Sequence, residues 1–310
     1  MGDSPKTEQG ADGSARGASK DDVAEYHRGG QRRAVNGLTR RPDRSEVDNV
    51  LVVTRGHPFA RNPFYEIFES NPAIEWSGVE HPAAQQMFTP EFSAAFDCYV
   101  LYDMPGIIFN RGTGGVDSYP PPDGYIDGLM AMCDEGFPFV IMHHAAAAWP
   151  AWPEWAELVG GHFLYQDGKS RGVAVVNSGY VIDVPHTVSP VADHPITAGI
   201  EPFELVDELY LAEVFEDSIE PLFRSDYEFV DTNFYSAANA LAGRMNDREG
   251  WTHPPASNIV GWVKTYRNSP IVYLQFGDGP ATYANPNFRQ ILANAIAWAS
   301  SDDARSWAAD

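Results

Sequence analysis

The stretch Phe139-Val-Ile-Met-His-His-Ala-Ala-Ala-Ala-Trp149 decides the fold. Its first four residues are apolar and read as a short buried strand. Two adjacent imidazoles, His143 and His144, then stand where that strand ends, followed by four alanines. Histidines at the tip of an apolar strand are either core residues satisfied by hydrogen bonds or the working end of a site. The surrounding sequence has to decide between them.

Upstream, Asn49-Val-Leu-Val-Val-Thr54 is a β-branched run suited to a strand covered on both faces. After Arg55-Gly56-His57 the pattern predicts a helix near 63–70, a strand near 73–79, a helical turn near 90–95 and a strand near 97–102 ending at Asp103. The segment DGYIDGLMAMCDEG predicts a helix with Ile126, Leu129, Met130 and Cys133 on its apolar face and Gly136 as its stop. The order is β-α-β-α-β-α-β, which predicts an α/β fold: a three-layer sandwich with a mainly parallel central sheet and helices on both faces. Ligands of such sheets bind outside the carboxyl ends of the strands. His57, Asp103, His143 and His144 all follow directly on predicted strands, so four polar residues converge on one edge.

Downstream, residues 152–160 predict a helix stopped by Gly160-Gly161. Residues 172–184 predict a β-hairpin with Asn177-Ser-Gly179 as its turn. Strands follow near 258–266 and 270–276, and an amphipathic helix with Ile291, Ala295 and Trp298 on one face closes the chain. No internal repeat and no boundary interrupt residues 49–310, which read as one domain.

The 310 residues carry a net charge of −22, and 44% of them are hydrophobic. Residues 1–48 hold nine basic and nine acidic side chains, so the whole surplus belongs to 49–310. Such an acidic body repels phosphate backbones and excludes nucleic acid as the expected partner, while a neutral sugar-like small molecule is tolerated. The first 48 residues read as a polar arm, disordered or docked on a neighbour in a homo-oligomer. With no apolar run long enough to span a bilayer and no signal-like leader, the expected location is the cytoplasm and no membrane partner is expected. Cys98 and Cys133 sit in apolar contexts and read as buried thiols, and no Cys/His spacing predicts structural zinc.

Three further segments carry a resemblance. Trp152-Pro-Glu-Trp155 before Gly160-Gly161, Asp193-His194-Pro195-Ile196-Thr197, and Asp207-Glu208 followed by Tyr210 occur in the order and spacing of the ThuA-like family, the trehalose utilisation proteins. The sequence resembles that family over most of residues 49–300. The resemblance implies a flavodoxin-like fold of the class I glutamine amidotransferase-like superfamily and an activity on sugars or glycosides, including 3-keto sugars. It implies functional roles for His57, His143 and the acidic pair Asp207 and Glu208. Two departures stand out. Amidotransferases place a nucleophilic cysteine at the turn after the strand that here ends at Met142; this chain has His143 there, which argues against Cys-dependent glutaminase chemistry. Near the C-terminus the family often reads Gly-His where this chain has Gly277-Asp278.

His57, His143, His144, Glu208 and Asp207 are thus the catalytic candidates. Asp103, Trp149, Trp152, His162, Tyr210 and Asp278 are the substrate-binding candidates, the aromatics among them because sugars and aryl rings both stack on aromatic faces. Asp193-His194-Pro195 reads as a turn that caps the next segment, and His81, His186 and His253, each beside a proline, read as loop histidines. Two mechanisms stay open. Histidine and carboxylate share general acid–base work in a hydrolase or lyase, or His57, His143 and Glu208 bind a divalent metal. A non-catalytic small-ligand or sensor protein, or a scaffold turned to an aryl ether or lactone, is the alternative.

Overall fold

Alternation along the first strand builds the layers. In β1 (Asp48–Arg55), Val50 and Val52 face one side of the sheet, Leu51 and Val53 the other, and all four are buried. The structure is a computed structural model that describes residues 47–110 and 114–309, all within one compact unit. The expected polar arm lies outside the described residues except at its last two positions, and Asp48 already begins β1. Among the described residues no helix is long and apolar enough to cross a membrane.

β2 (Ile74–Glu80), β3 (Cys98–Asp103), β4 (Phe139–Met142) and β9 (Ser269–Leu274) join β1 in a parallel block ordered β2-β1-β3-β4-β9. One face is covered by α1 (Arg61–Glu69), α4 (Pro286–Ala299) and α5 (Asp302–Ala309), which contribute Phe64, Phe68, Ile291, Leu292 and Ala304 to its core. The other is covered by α2 (Asp123–Asp134) and α3 (Glu154–Val159), through Leu129, Met132, Trp155 and Leu158. Gly160 ends α3 in the left-handed region at φ 90°, a conformation that glycine adopts without steric cost. The expected three-layer sandwich is present, and its central strands are parallel.

Beyond β9 the sheet changes direction. β8 (Ile259–Tyr266), β7 (Glu220–Ser225), β5 (Gly179–Pro190) and β6 (Phe203–Leu211) extend it by antiparallel pairings in the order β9-β8-β7-β5-β6, and the short strand Tyr235–Ser236 also pairs with β5. The hairpin expected over 172–184 is not formed. Val173–Val175 pairs instead with Gly168–Ser170, and the chain runs on into β5. Asn177 has the composition of a turn residue, but its side chain is spent on distant groups. Its Nδ2 donates to Asp167 Oδ1 (3.0 Å) and its Oδ1 accepts from Ser236 Oγ (2.7 Å).

The antiparallel half curls. Its registers shift between Val181 and Val184 against β6, and around Pro221, Phe223 and Arg224 against β8. Such irregularities bend a strand and increase its twist. As a result β6, separated from β9 by three strands in the sheet, returns over the strand tips: the Tyr210 amide donates to Gln275 Oε1 at 3.2 Å.

Of the expected loop histidines, His81 does lie in a turn after β2, and His186 is corrected. His81 is buried, with Nε2 2.6 Å from Asp103 Oδ2, and His186 is a sheet residue of β5 whose Nδ1 lies 2.9 Å from Ser225 Oγ. His253 does lie in a loop, and His194 caps a short turn by accepting from the Ile196 amide. Burial lowers His186 to about 4, the nearby Asp226 carboxylate opposing only weakly. A histidine buried neutral takes up its proton more readily once unfolded, so its contribution to stability is present above pH 6.5 and is lost as pH falls toward 4. Between pH 7 and 5 this one group should cost about 2 kcal/mol. Denaturant titrations across that range should give a shallower loss for His186→Gln than for the parent; equal slopes would refute the assignment.

Candidate functional site

The opening stretch resolves into a strand and a strained turn. Met142 ends β4, and His143 adopts φ 48°, a left-handed conformation that is uncommon for a residue with a side chain and that costs on the order of 1–3 kcal/mol. A 3-10 turn over His143–Ala147 follows, with every residue buried. Its carbonyls are held by side chains, His143 O by Tyr273 Oη (2.9 Å) and Ala145 O by Trp155 Nε1 (2.9 Å). Small side chains are what this crowded turn admits, which accounts for the alanines.

His143 is fully buried and fixed at both ring nitrogens. Nδ1 lies 2.6 Å from the carbonyl of Gln275, which can only accept, so Nδ1 carries hydrogen. Nε2 then points at three oxygens: Tyr210 Oη at 2.8 Å, Glu208 Oε2 at 3.2 Å and Asp278 Oδ1 at 3.5 Å. Burial disfavours a charged ring, but the Asp278 and Glu208 carboxylates outweigh it and His143 is pushed up to about 10. Asp278 is lowered in turn by its contact with His143. Among the described residues, His143, Glu208 and Asp278 are the group whose potential metal-ligand atoms lie within 4.8 Å of one another.

Strand period explains the division of labour in Asp207-Glu208. Glu208 and Tyr210 share the face of β6 turned toward His143, and Asp207 points the other way. There its carboxylate accepts from the amides of Gly277 (2.7 Å) and Asp278 (3.0 Å). Burial raises the Asp207 carboxyl to about 6, against the attraction of His143 and the amide donors. Tyr102 Oη donates to the Gly277 carbonyl (2.7 Å) and Tyr283 Oη to that of Asp278 (3.0 Å). The backbone that presents Asp278 is therefore held at both amides and both carbonyls.

His57 faces the same space from β1. Gly56 before it has φ 104°, and a Cβ there would lie 2.2 Å from the Met104 carbonyl oxygen, so the turn admits no side chain. The His57 ring packs 4.6 Å from His144, whose ring is 4.2 Å from Tyr102. Burial and then the repulsion of His143 lower His57, which keeps it neutral. His144 is buried and held well below the ordinary value by burial and by its two histidine neighbours.

A cavity of about 860 Å³ opens over this group, lined by His57, Glu208 and Tyr210 together with Arg55, Phe109, Phe163, Tyr165 and Tyr180. His57, His143, Glu208, Tyr210 and Asp278 are thus brought together. Asp207 and His144 stand behind them as supports. Asp103 is turned to the other face of the sheet and bonded to His81, away from the cavity lining. Trp149 is fully buried against Tyr125, and Trp152 and His162 line a separate cleft of about 430 Å³, with His162 3.1 Å from Glu213. The aromatic lining of the cavity comes from tyrosines and phenylalanines rather than these tryptophans. Of the expected metal set His57, His143 and Glu208, the last two stand in one group of close ligand atoms, completed by Asp278 rather than by His57, whose ring is tilted against His144. Tyr165, Tyr180 and Gln275 escaped the sequence reading. Gln275 follows β9 directly, but the predicted strand runs to 276 and encloses it, so the strand-tip rule passes it over.

Burial raises both cysteine thiols, Cys133 to about 12, which leaves neither as a thiolate nucleophile.

Two substitutions test the supports. Gly56→Ala should cost about 1–3 kcal/mol of stability by forcing the turn off Met104. Asp207→Asn keeps the shape but turns an N–H toward one of two amide donors, and should cost about 1–3 kcal/mol. Denaturant midpoints of the two variants at the parental value would mean these contacts carry no stability.

Residues 50–299 match the sequence profile of the ThuA family, described as trehalose utilisation. No curated protein matches the chain. Among solved structures, a ThuA-like protein from Parabacteroides merdae superposes with a TM-score of 0.56 at 16% identity, covering 82% of this chain and 90% of that one. A ThuA-like protein from Bacteroides uniformis gives a TM-score of 0.52 at 15% identity, covering 84% and 94%. These likenesses show the same fold, and the profile match spans most of the sequence. The chain belongs to the ThuA family.

Proposed function

We propose that the protein processes a sugar or glycoside, as a hydrolase or lyase that works from the His143 cavity. The observation that carries this reading is convergence. A strained histidine at a strand tip meets two carboxylates and a phenol beside a cavity that Glu208, Tyr210 and His57 line. Strained residues collect where a group must be held in a working position. The family description, trehalose utilisation, supports the substrate class, and so do the flat faces of Tyr165, Tyr180 and Phe163, which suit the apolar faces of pyranose rings.

In this reading His57 is the base. It takes a proton from water in hydrolysis, or from the carbon beside a carbonyl when the substrate is a 3-keto sugar. The Glu208 end of the His143, Glu208 and Asp278 group faces the substrate oxygen on which negative charge develops, where a cation held by that group would supply the stabilising positive charge. No thiol is needed.

The test is a turnover assay of the full chain against trehalose, other glycosides and their 3-keto forms. His57→Ala should lower kcat/KM by about 100-fold or more with the melting temperature unchanged. Binding of sugars without turnover by the parent would assign the chain instead to small-ligand sensing. Turnover of aryl ethers or lactones, with no action on sugars, would move the substrate class.

A further inference from the structure

We propose that His143, Glu208 and Asp278 bind one divalent transition-metal ion at the inner end of the cavity. This rests on the reading of that cavity as the functional site and names what its positive charge is.

Orientation is the first argument. Metal-binding histidines usually give their second ring N–H to a carbonyl or carboxylate, which fixes the ring and leaves the other nitrogen's lone pair free for the ion. His143 has this arrangement, Nδ1–H on the Gln275 carbonyl and Nε2 toward the two carboxylates, with the Tyr210 hydroxyl 2.8 Å from Nε2 having to turn its hydrogen away when the ion enters. Spacing is the second. Two donors bound about 2.0–2.1 Å from one ion stand about 3.0 Å apart at a right angle and about 3.4 Å apart at the tetrahedral angle. The two carboxylate oxygens stand 3.2 and 3.5 Å from Nε2. The third argument is proton count. A single ring nitrogen can offer one hydrogen, yet two carboxylate oxygens, which can only accept, lie within 3.5 Å of it. One ion satisfies the nitrogen and both carboxylates at once, and a neutral imidazole with two carboxylates balances a charge of two.

The site is also held ready. The Asp278 backbone is fixed by Asp207 and Tyr283, and Glu208 projects from a paired strand, so little order is lost on binding. Glu208, which lines the cavity, is 12% exposed and Asp278 34%, so both carboxylates are open to an entering ion. Three protein ligands with one open side is the pattern of a catalytic rather than a structural ion. An imidazole among carboxylates favours manganese, iron or zinc over magnesium or calcium. The open coordination positions would take adjacent sugar oxygens.

The full chain, stripped with a chelator and dialysed, is titrated with Mn²⁺, followed by the spin resonance of the free ion, and with Zn²⁺ by calorimetry. We expect one equivalent of saturable binding, weakened about tenfold or more by Glu208→Gln and by Asp278→Asn, and absent when both are changed. These isosteric changes at partly exposed positions spare the fold. Equal binding by the parent and the double variant would overturn the site, since it would place the ions on the acidic surface. One tight equivalent without sugar turnover would uphold the ion site and sink the sugar reading. Sugar turnover by the stripped chain, with no saturable binding, would do the reverse.

Discussion

One buried carboxylate ties the two halves of this molecule together. Asp207 sits on β6, at the far edge of the antiparallel extension, and holds the amides of Gly277 and Asp278 beyond the tip of β9 in the parallel block. A charge that deep is stable only when its oxygens are fully engaged. Those two bonds stitch the returning edge of the sheet to the end of its centre. Glu208 and Tyr210, farther along the same strand, reach His143 where Asp207 and the Tyr210 amide on Gln275 hold β6 over the strand tips.

Legibility from sequence followed the locality of each interaction. The parallel block was readable because continuous apolar runs such as Val50–Val53 and Phe139–Met142 need no distant partner to identify them, and the strand-tip rule then located His57 and His143. Of the antiparallel half only β8, expected near 258–266, was readable. The remaining strands are irregular, interrupted by register shifts near Val184 and Phe223, and their partners lie far away in the chain. Asn177 misled for the same reason, since a side chain typical of turns was engaged with Ser236 and Asp167 instead.

The site residues divide likewise. Asp103 ends a strand as His143 nearly does, but it points to the opposite face and is spent on His81. Position along a strand says which edge a residue occupies, while the face depends on register. Tyr165 and Tyr180 carried no signal of their own, because their place in the cavity lining depends on the curl of the antiparallel half. Asp278 carried a signal only through its place after Gly277 near the end of the last strand.

The curl also sets when the site can exist. His143 meets Glu208 across 65 residues and the Gln275 carbonyl across 132, and Asp278 comes after both in the chain. Contacts of such separation close late, after the entropy of the long loops between them has been overcome. On the ribosome the first part of the chain to emerge holds His57 and His143 but not their carboxylate partner from the C-terminal region. The parallel block lacks β9 until almost the whole chain is made. The cluster of His143, Glu208 and Asp278 is therefore absent from every unfinished copy and assembles only once the residues after β9 are made.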